Sequence, residues 1–350
     1  MEGSPMNEGL RRHIPVPRRS VPGVRVPILL FGVGAIGAGV ARALHCATEF
    51  ELVAAVDADP AKVGKDLGEV LGEGHWGTLV RGDLGDVGGA RVALHTTGSF
   101  LPDVGEQIEA LLAAGLHVVS SAEELAWPWL RHEVLAEQLD RKARAAGRTV
   151  VGTGVNPGFV MDVLPLVMTH AVRNVRKVVI RRRVDTARRR RNLQIKTGAG
   201  MTVEGFAAEM AAGRMGHIGL AESLALVAAG LGWDVGPIEE ALSPLISTHG
   251  VRSAELEVPA GRVSGLRQIM TARTDEAREL VLDLVMELGG GTDGDEVDID
   301  ADPPVRLRVE GGVSGDLATV ATLINTAGRV LEAAPGLRSA LELPLPRVVG

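Results

Sequence analysis

Residues 26–37 read Val26-Pro27-Ile28-Leu29-Leu30-Phe31-Gly32-Val33-Gly34-Ala35-Ile36-Gly37. An apolar run enters a turn whose glycines are spaced G-x-G-x-x-G, and the residues from Ala35 to Cys46 continue with helical periodicity. Strand, glycine turn and helix in that order form the phosphate-binding unit of a dinucleotide site. Gly32 permits the tight turn, Gly34 lets backbone approach a pyrophosphate, and Gly37 allows close helix–strand packing. The helix N-terminus, with Ala35 and Ile36 in its first turn, then faces the phosphates. Asp57 closes the next apolar run (ELVAAVD, 51–57) at the usual distance from the last glycine. A carboxylate there takes a ribose 2′-hydroxyl, which predicts NAD over NADP; Lys62 and Lys65 close by leave room for NADP.

Outward from this unit the alternation continues. ARVALHTTGS (90–99), HVVSSAEEL (117–125) and TVVGTGVNPG (149–158) read as strands, separated by helical EQIEALLAAG (106–115) and RHEVLAEQLDRKARAAG (131–147). Strands apolar on both faces alternating with helices predict a Rossmann-type doubly wound parallel sheet in an α/β fold. After about Asn156 the rhythm changes. VVIRRRVD (178–185), VRSAELEVPAGRVSGLRQIMTART (251–274) and VDIDADPPVRLRVE (297–310) read as longer strands with one wet face. TVEGFAAEMAAG (202–213), GLAESLALVAAGLGW (219–233) and DEARELVLDLVMELG (275–289) read as helices, so an α+β substrate and dimerisation domain is expected here. The implied division is a flexible tail at 1–23, a nucleotide-binding domain at 24–155, the α+β domain at 156–320, and a C-terminal helix and tail at 321–350 that packs back on the first domain.

Composition narrows the chemistry. The 350 residues carry 45% apolar side chains, one Cys and no Tyr. No phenol is available as a general acid, so proton transfer falls to Glu, Asp, His, Lys, Ser or Thr. The lone Cys46 excludes a disulfide framework or a multi-cysteine metal site, and its apolar helical setting predicts burial. No H-E-x-x-H signature and no G-x-S-x-G elbow occurs, so no metal site and no serine hydrolase is expected. The formal charge of −7 gives no reason to expect nucleic-acid binding. No secretory h-region precedes the first strand, and arginines and glycines break the Val24–Cys46 run, so a cytoplasmic protein without a membrane span is expected.

In open α/β sheets, ligands lie beyond the carboxyl ends of the strands. His95-Thr96-Thr97-Gly98-Ser99 and Ser120-Ser121-Ala122-Glu123-Glu124 end two of them. Thr96, Thr97, Ser99 and Ser120 are therefore expected near the nicotinamide half of a cofactor. Glu123 and Glu124 are the best acid–base candidates in a chain without tyrosine, although Ser121/Glu124 and Ser120/Glu123 both have capping-box spacing. Asn156, in the turn of Gly152–Gly158, can offer an amide to nicotinamide or substrate. His217, flanked by Gly216 and Gly219, stands at a helix start, and Lys196-Thr197-Gly198-Ala199-Gly200 is a small-residue loop able to approach a ligand. The arginines of 181–183 and 188–191 read either as an anion site or as a solvated or subunit-contacting face.

FGVGAIG, AVDADPAKVGKDLGEV, HTTGS, SSAEELAWPW, GTGVNPGFVMDVLP, LQIKTGAG, GRMGHIGLAES and GDLATVATLINTAGRVLEAAPGL together resemble the 2,4-diaminopentanoate dehydrogenases and related amine dehydrogenases, within a wider dihydrodipicolinate-reductase-like group. The resemblance spans about residues 26–345. It implies NAD or NADP, a homodimer, and reversible oxidative deamination of an amine or reductive amination of a ketone with ammonia. It also implies a catalytic glutamate in Glu123-Glu124, with Glu124 preferred; Asn156, Phe159 and His217 are candidate substrate contacts. Dihydrodipicolinate reductases carry His-His and Lys-Ser-Gly-Thr motifs, where this chain has VDTARRRRNLQ and KTGAG. An ammonia-independent C=N or C=O reductase and a non-catalytic NAD(H) sensor remain as alternatives.

Overall fold

The computed structural model describes residues 25–344, so the tail expected at 1–23 lies outside the described residues. In chain order the strands and helices are β1 (Val26–Phe31), α1 (Ala35–Cys46), β2 (Phe50–Val56), α2 (Leu67–Val70), β3 (Val80–Arg81), β4 (Val92–His95), α3 (Leu101–Ala113), β5 (His117–Ser120), α4 (Glu133–Ala146) and β6 (Thr149–Gly152). There follow α5 (Val163–Thr169), β7 (Arg173–Asp185), α6 (Arg191–Lys196), α7 (Val203–Ala211), α8 (Leu220–Leu231), β8 (Glu239–Ile246), β9 (Val251–Arg252), β10 (Glu257–Val258), β11 (Val263–Arg273), β12 (Glu279–Glu287), β13 (Gly294–Asp302), β14 (Val305–Glu310), α9 (Gly315–Val330) and β15 (Gly336–Arg338).

Seven strands make one parallel sheet in the order β15-β6-β5-β4-β1-β2-β3, with β1 at the topological switch between β4 and β2. Its central strands are apolar on both faces because both are covered. Leu30 and Ile28 pack beneath α1 and α9, while Leu29 faces α3 and α4. Each of these side chains is fully buried, contributing about 1.5–3 kcal/mol apiece. α9 begins at Gly315 and lays Leu323, Ile324 and Ala327 against this first domain, and β15 extends the sheet beside β6. The chain thus enters the second domain and comes back to the first.

The second sheet is mixed, ordered β14-β13-β7-β12-β11-β8. One face packs under α5 and α8. The other carries cross-strand ion pairs, such as Arg267 with Asp283 and Arg181 with Glu296. β12 corrects the helix expected over 275–289. Asp275–Arg278 form a turn, with Ala277 at φ +62°, and residues 279–287 run as a strand between β7 and β11. Nearly every side chain of β12 is covered, so the alternation that marks a half-wet strand is missing from its sequence. The expected strand over 251–274 is interrupted: β9 and β10 form a small antiparallel pair before β11 starts. The expected strand over 297–310 is a hairpin turning at Pro303-Pro304, because proline cannot donate to a ladder. The strand over 117–125 stops at Ser120 and gives way to a 3₁₀ turn. Cys46 is exposed, against expectation: the covered face of α1 is Gly37, Val40, Ala41 and Leu44, and the last residue of the helix points away from it. No helix among the described residues is long and apolar enough to cross a membrane.

Candidate active site

The carboxyl ends of β1, β4, β5 and β6 open into a cleft of about 380 Å³ whose opposite wall is the second domain. Gly32 turns the chain at φ +99°, and its carbonyl accepts from the Thr96 hydroxyl at 2.8 Å. A Cβ on Gly37 would stand 2.0 Å from the same carbonyl, so only glycine lets α1 start this close to β1. Gly34 behaves differently. A Cβ there would meet nothing within 4 Å, because it would project into the cleft. α1 has no side-chain cap and no acid in its first turn, so its leading N–H groups at Ala35 and Ile36 border an open, electropositive space. That fits a pyrophosphate. Asp57, at the end of β2, accepts from Val33 N–H at 2.7 Å and Asp59 N–H at 2.8 Å, with the Lys62 ammonium at 3.1 Å. Burial pushes its carboxyl up, but these donors outweigh it and hold the group below its ordinary value, ionised and able to accept ribose hydroxyls. The residues present therefore fit a nicotinamide dinucleotide.

Glu123 and Glu124 follow β5 in the 3₁₀ turn and diverge. Glu123 lines the cleft, half-buried, with the Ser99 hydroxyl hydrogen-bonded to it and Lys196 in its field. Burial pushes its carboxyl up; its own backbone N–H, Ser99 and Lys196 pull it partly back, and neighbouring Glu124 adds to the rise. Glu124 is buried on the far side. Its Oε2 accepts from Leu101 N–H at 2.8 Å, at the start of α3, and pairs with His132 Nε2 at 2.8 Å. The turn is capped by Ala122, so neither capping box anticipated in the sequence forms. Ser120 is fully buried: it donates to His95 Nδ1 at 2.8 Å and accepts from Ala122 N–H at 3.1 Å, behind the cleft rather than in it. His95 completes that support by donating Nε2–H to Gln107 at 2.9 Å, and burial lowers its pKa to about 4, so it is neutral.

Asn156 lines the cleft after β6, and the His217 ring, approaching from the second domain, donates Nε2–H to the Asn156 carbonyl at 3.1 Å. Burial lowers the His217 pKa to about 4, which keeps it a neutral donor. A Cβ on Gly219 would come within 2.5 Å of Pro157 and 2.9 Å of Glu123 Cβ, so glycine there lets the second domain close on both. The same wall supplies Arg182, Arg189, Arg190 and Lys196. Arg182 is buried against Asp295, Arg189 faces Asp293, and Arg190 faces Asp316. Lys196 has no acidic partner of this kind among the described residues.

The structure thus brings together Gly34, Ala35, Ile36, Thr96, Thr97, Ser99, Glu123, Asn156 and His217. Gly32, Gly37 and Asp57 shape the rim. Ser120 lies behind the cleft, Glu124 lines a neighbouring hollow with Arg131, His217 and Gly219, and Phe159 faces a separate apolar hollow between α5 and α9. The cleft cations were visible only as an unplaced arginine run and a small-residue loop. Asp162 and Ser223, which hold Asn156 from behind, gave no sequence signal at all.

Two family profiles match the chain: the 2,4-diaminopentanoate dehydrogenase C-terminal domain over residues 159–350 and the dihydrodipicolinate reductase N-terminus over 26–100. The 2,4-diaminopentanoate dehydrogenase of Acetoanaerobium sticklandii is 30% identical over 342 residues, covering 93% of this chain and 95% of its own. An amine dehydrogenase of Streptomyces virginiae is 24% identical over 93% of this chain and 98% of its own. Among solved structures, an amine dehydrogenase from Mycobacterium smegmatis superposes with a TM-score of 0.82 at 26% identity, over 93% of this chain and 98% of that one. A dihydrodipicolinate reductase from Paenisporosarcina shares the fold at a TM-score of 0.51 and 13% identity, covering 91% of this chain and 99% of that one. With the nucleotide cradle intact and both halves matched, this chain belongs to the 2,4-diaminopentanoate dehydrogenase family and is an NAD(P)-dependent oxidoreductase.

Proposed function

We propose that the protein is an amine dehydrogenase that interconverts a primary amine with a ketone and ammonia, with Glu123 as its acid–base residue. The observation that carries this reading is a carboxylate in the cleft, raised by burial and flanked by Ser99 and Lys196, facing the wall that closes the site. We place the role on Glu123 rather than on the Glu124 preferred from the sequence, because the Glu124 carboxylate already accepts from Leu101 N–H and pairs with His132.

The chemistry follows from what the residues can do. When bound, NAD or NADP supplies the carbon that accepts or donates hydride. Glu123 as a carboxylate takes a proton from the substrate ammonium, freeing the nitrogen lone pair. After Glu123 has passed that proton out to solvent and the substrate carbon has given up its hydride, the carboxylate's negative charge lies beside the iminium cation left on the substrate and stabilises it. Water adds to that iminium as Glu123 takes its proton, and the protonated acid returns a proton to the departing ammonia. A base so placed contributes roughly 10²–10⁴-fold. Closure of His217 and Gly219 against Asn156 and Pro157 keeps bulk water from the iminium before it is needed.

Lys196, which makes no ion pair with an acid among the described residues while lying in the field of Glu123, supports a substrate that carries an anionic group, such as an amino acid. The working form is read as a homodimer, as the family resemblance implies, in the cytoplasm. The experiment is stoichiometric. Primary amines with and without a carboxylate are oxidised with NAD⁺ and NADP⁺, and free ammonia is measured against reduced cofactor. One ammonia per reduced cofactor is expected. Reduced cofactor formed without ammonia overturns the reading in favour of an ammonia-independent reductase, and no turnover beside tight cofactor binding favours a sensor.

A further inference from the structure

Asp162 is the most buried carboxylate of the second domain's entry, and the reaction scheme leaves it idle. It follows the Asn-Pro-Gly turn, is 0% exposed, and has no cation among its hydrogen-bonding partners. Its Oδ2 accepts from Gly158 N–H at 2.7 Å and from the Ser223 hydroxyl at 2.7 Å, while Oδ1 accepts from Val163 N–H at 2.6 Å. Ser223, also 0% exposed, sits in the first turn of α8 with its Oγ 3.4 Å from the side-chain oxygen position of Asn156. Three side chains thus form a line: Asp162, Ser223, then Asn156 at the cleft.

Counting protons along that line fixes its polarity. A serine hydroxyl has one hydrogen to give. The 2.7 Å contact to Asp162 claims it, so Ser223 faces Asn156 with lone pairs only. Two acceptors cannot share a hydrogen that is not there. The oxygen and nitrogen ends of an asparagine amide occupy nearly the same positions, and the network decides which end is which. We infer that Asp162 and Ser223 turn the Asn156 amide so that its NH₂ is held by Ser223 and its carbonyl oxygen is presented to the cleft as a hydrogen-bond acceptor for the reacting amine or iminium N–H. Asp162 and Ser223 are positioning residues in this scheme, acting through Asn156.

Burial pushes the Asp162 carboxyl up and its three hydrogen-bond donors pull it back; the ionised form satisfies all three of them, with both oxygens accepting. A protonated carboxyl would place its hydrogen on one of two oxygens that already accept backbone N–H groups. It would also reverse the line, with Ser223 donating to Asn156 and the amide NH₂ facing the cleft. An acceptor suits a substrate that passes through a cation bearing N–H; a donor would suit a carbonyl. The identification of the N–H partner with the reacting nitrogen rests on the proposed amine chemistry, whereas the amide orientation does not.

Two measurements separate those dependencies. The first is neutron diffraction from the cofactor-bound, deuterium-exchanged enzyme. Deuterium on the Asn156 nitrogen, directed at Ser223 Oγ, is expected; the Asn156 oxygen directed at Ser223 overturns the inference, whatever the substrate proves to be. The second is a double-mutant cycle on amine oxidation with the cofactor dissociation constant measured alongside. Ser223→Ala is expected to lower kcat/KM for the amine about tenfold, the size of one hydrogen bond lost in the site, with cofactor affinity within about twofold. In an Asn156→Ala background the same change is expected to have less than about a twofold effect. Ser223→Cys, with a weaker donor of similar size, is expected to fall between serine and alanine. Independent, multiplying effects contradict action through Asn156. An equal loss of cofactor affinity contradicts the amine as partner and assigns the acceptor to the nicotinamide amide instead. If Ser223→Ala does not fold, the cysteine variant and the neutron structure decide the question. A wild-type enzyme that oxidises no amine overturns the proposed function and leaves the orientation to the neutron result.

Discussion

The two sides of the turn after β5 treat a carboxylate in opposite ways. On the cleft side Glu123 meets a hydroxyl, a cation and open volume, and burial pushes its carboxyl up toward a poise useful for proton transfer. On the scaffold side Glu124 caps the first N–H of α3 and pairs with His132, so it joins β5, α3 and the start of α4. A 3₁₀ turn advances three residues per turn, so consecutive side chains point well apart. In the proposed scheme one residue type at neighbouring positions serves chemistry on one side and architecture on the other. On the proposed assignment, exposure to the cleft and freedom from structural partners, more than residue identity, mark the working acid.

The largest expected effect tests the cleft side. Glu123→Gln is expected to lower kcat by roughly 10²–10⁴-fold while leaving the cofactor dissociation constant and melting temperature close to wild type. Wild-type-like kcat would remove Glu123 from the chemistry. The scaffold side predicts the reverse. Glu124→Gln leaves the His132 pairing and the Leu101 N–H with a weaker acceptor, for an expected cost of about 1–3 kcal/mol and a melting temperature lower by several degrees. Turnover by the fraction that remains folded should stay within about tenfold of wild type. A stable Glu124→Gln protein with collapsed kcat would reverse the two assignments.

A smaller effect sharpens the comparison through pH. Glu123 acts as a base only when ionised, and its ionised fraction grows as pH rises through its pKa. Because burial raises that pKa, the acid limb of kcat/KM should lie above the ordinary glutamate range. Lys196 and Ser99 both lower the Glu123 pKa, so Lys196→Met or Ser99→Ala should move the limb to still higher pH. A limb that moves down, or does not move, would detach those residues from Glu123. Lys196→Met should also reduce discrimination in favour of carboxylate-bearing amines, by about tenfold in kcat/KM.

Much of the first domain was legible in the sequence because its rules are local. The spacing of Gly32, Gly34 and Gly37 and the closing Asp57 record contacts made within one βαβ unit, where φ and Cβ clearance leave few residue choices. The second domain was less legible. β12 is covered by neighbours far away in sequence, and its burial on both faces erased the period of two that would have revealed a strand. Edge strands β8 and β15 gave no clear signal either, since each is defined by the strand it joins. In the site, Ser120-Ser121-Ala122-Glu123-Glu124 carries both candidate acids, and the proposed choice between the glutamates depends on where α3 starts and where His132 lies. Asp162 and Ser223 are sixty-one positions apart and meet only after folding.

The most direct test of the central claim is the ammonium dependence of NADH and NADPH oxidation by the wild-type enzyme, measured with a panel of short ketones with and without a carboxylate. Oxidation that requires ammonium, saturates with it and is largely abolished in Glu123→Gln is the predicted result. Oxidation at the same rate with no ammonium present would contradict it, and would make the cleft a reductase site for a C=O or preformed C=N bond.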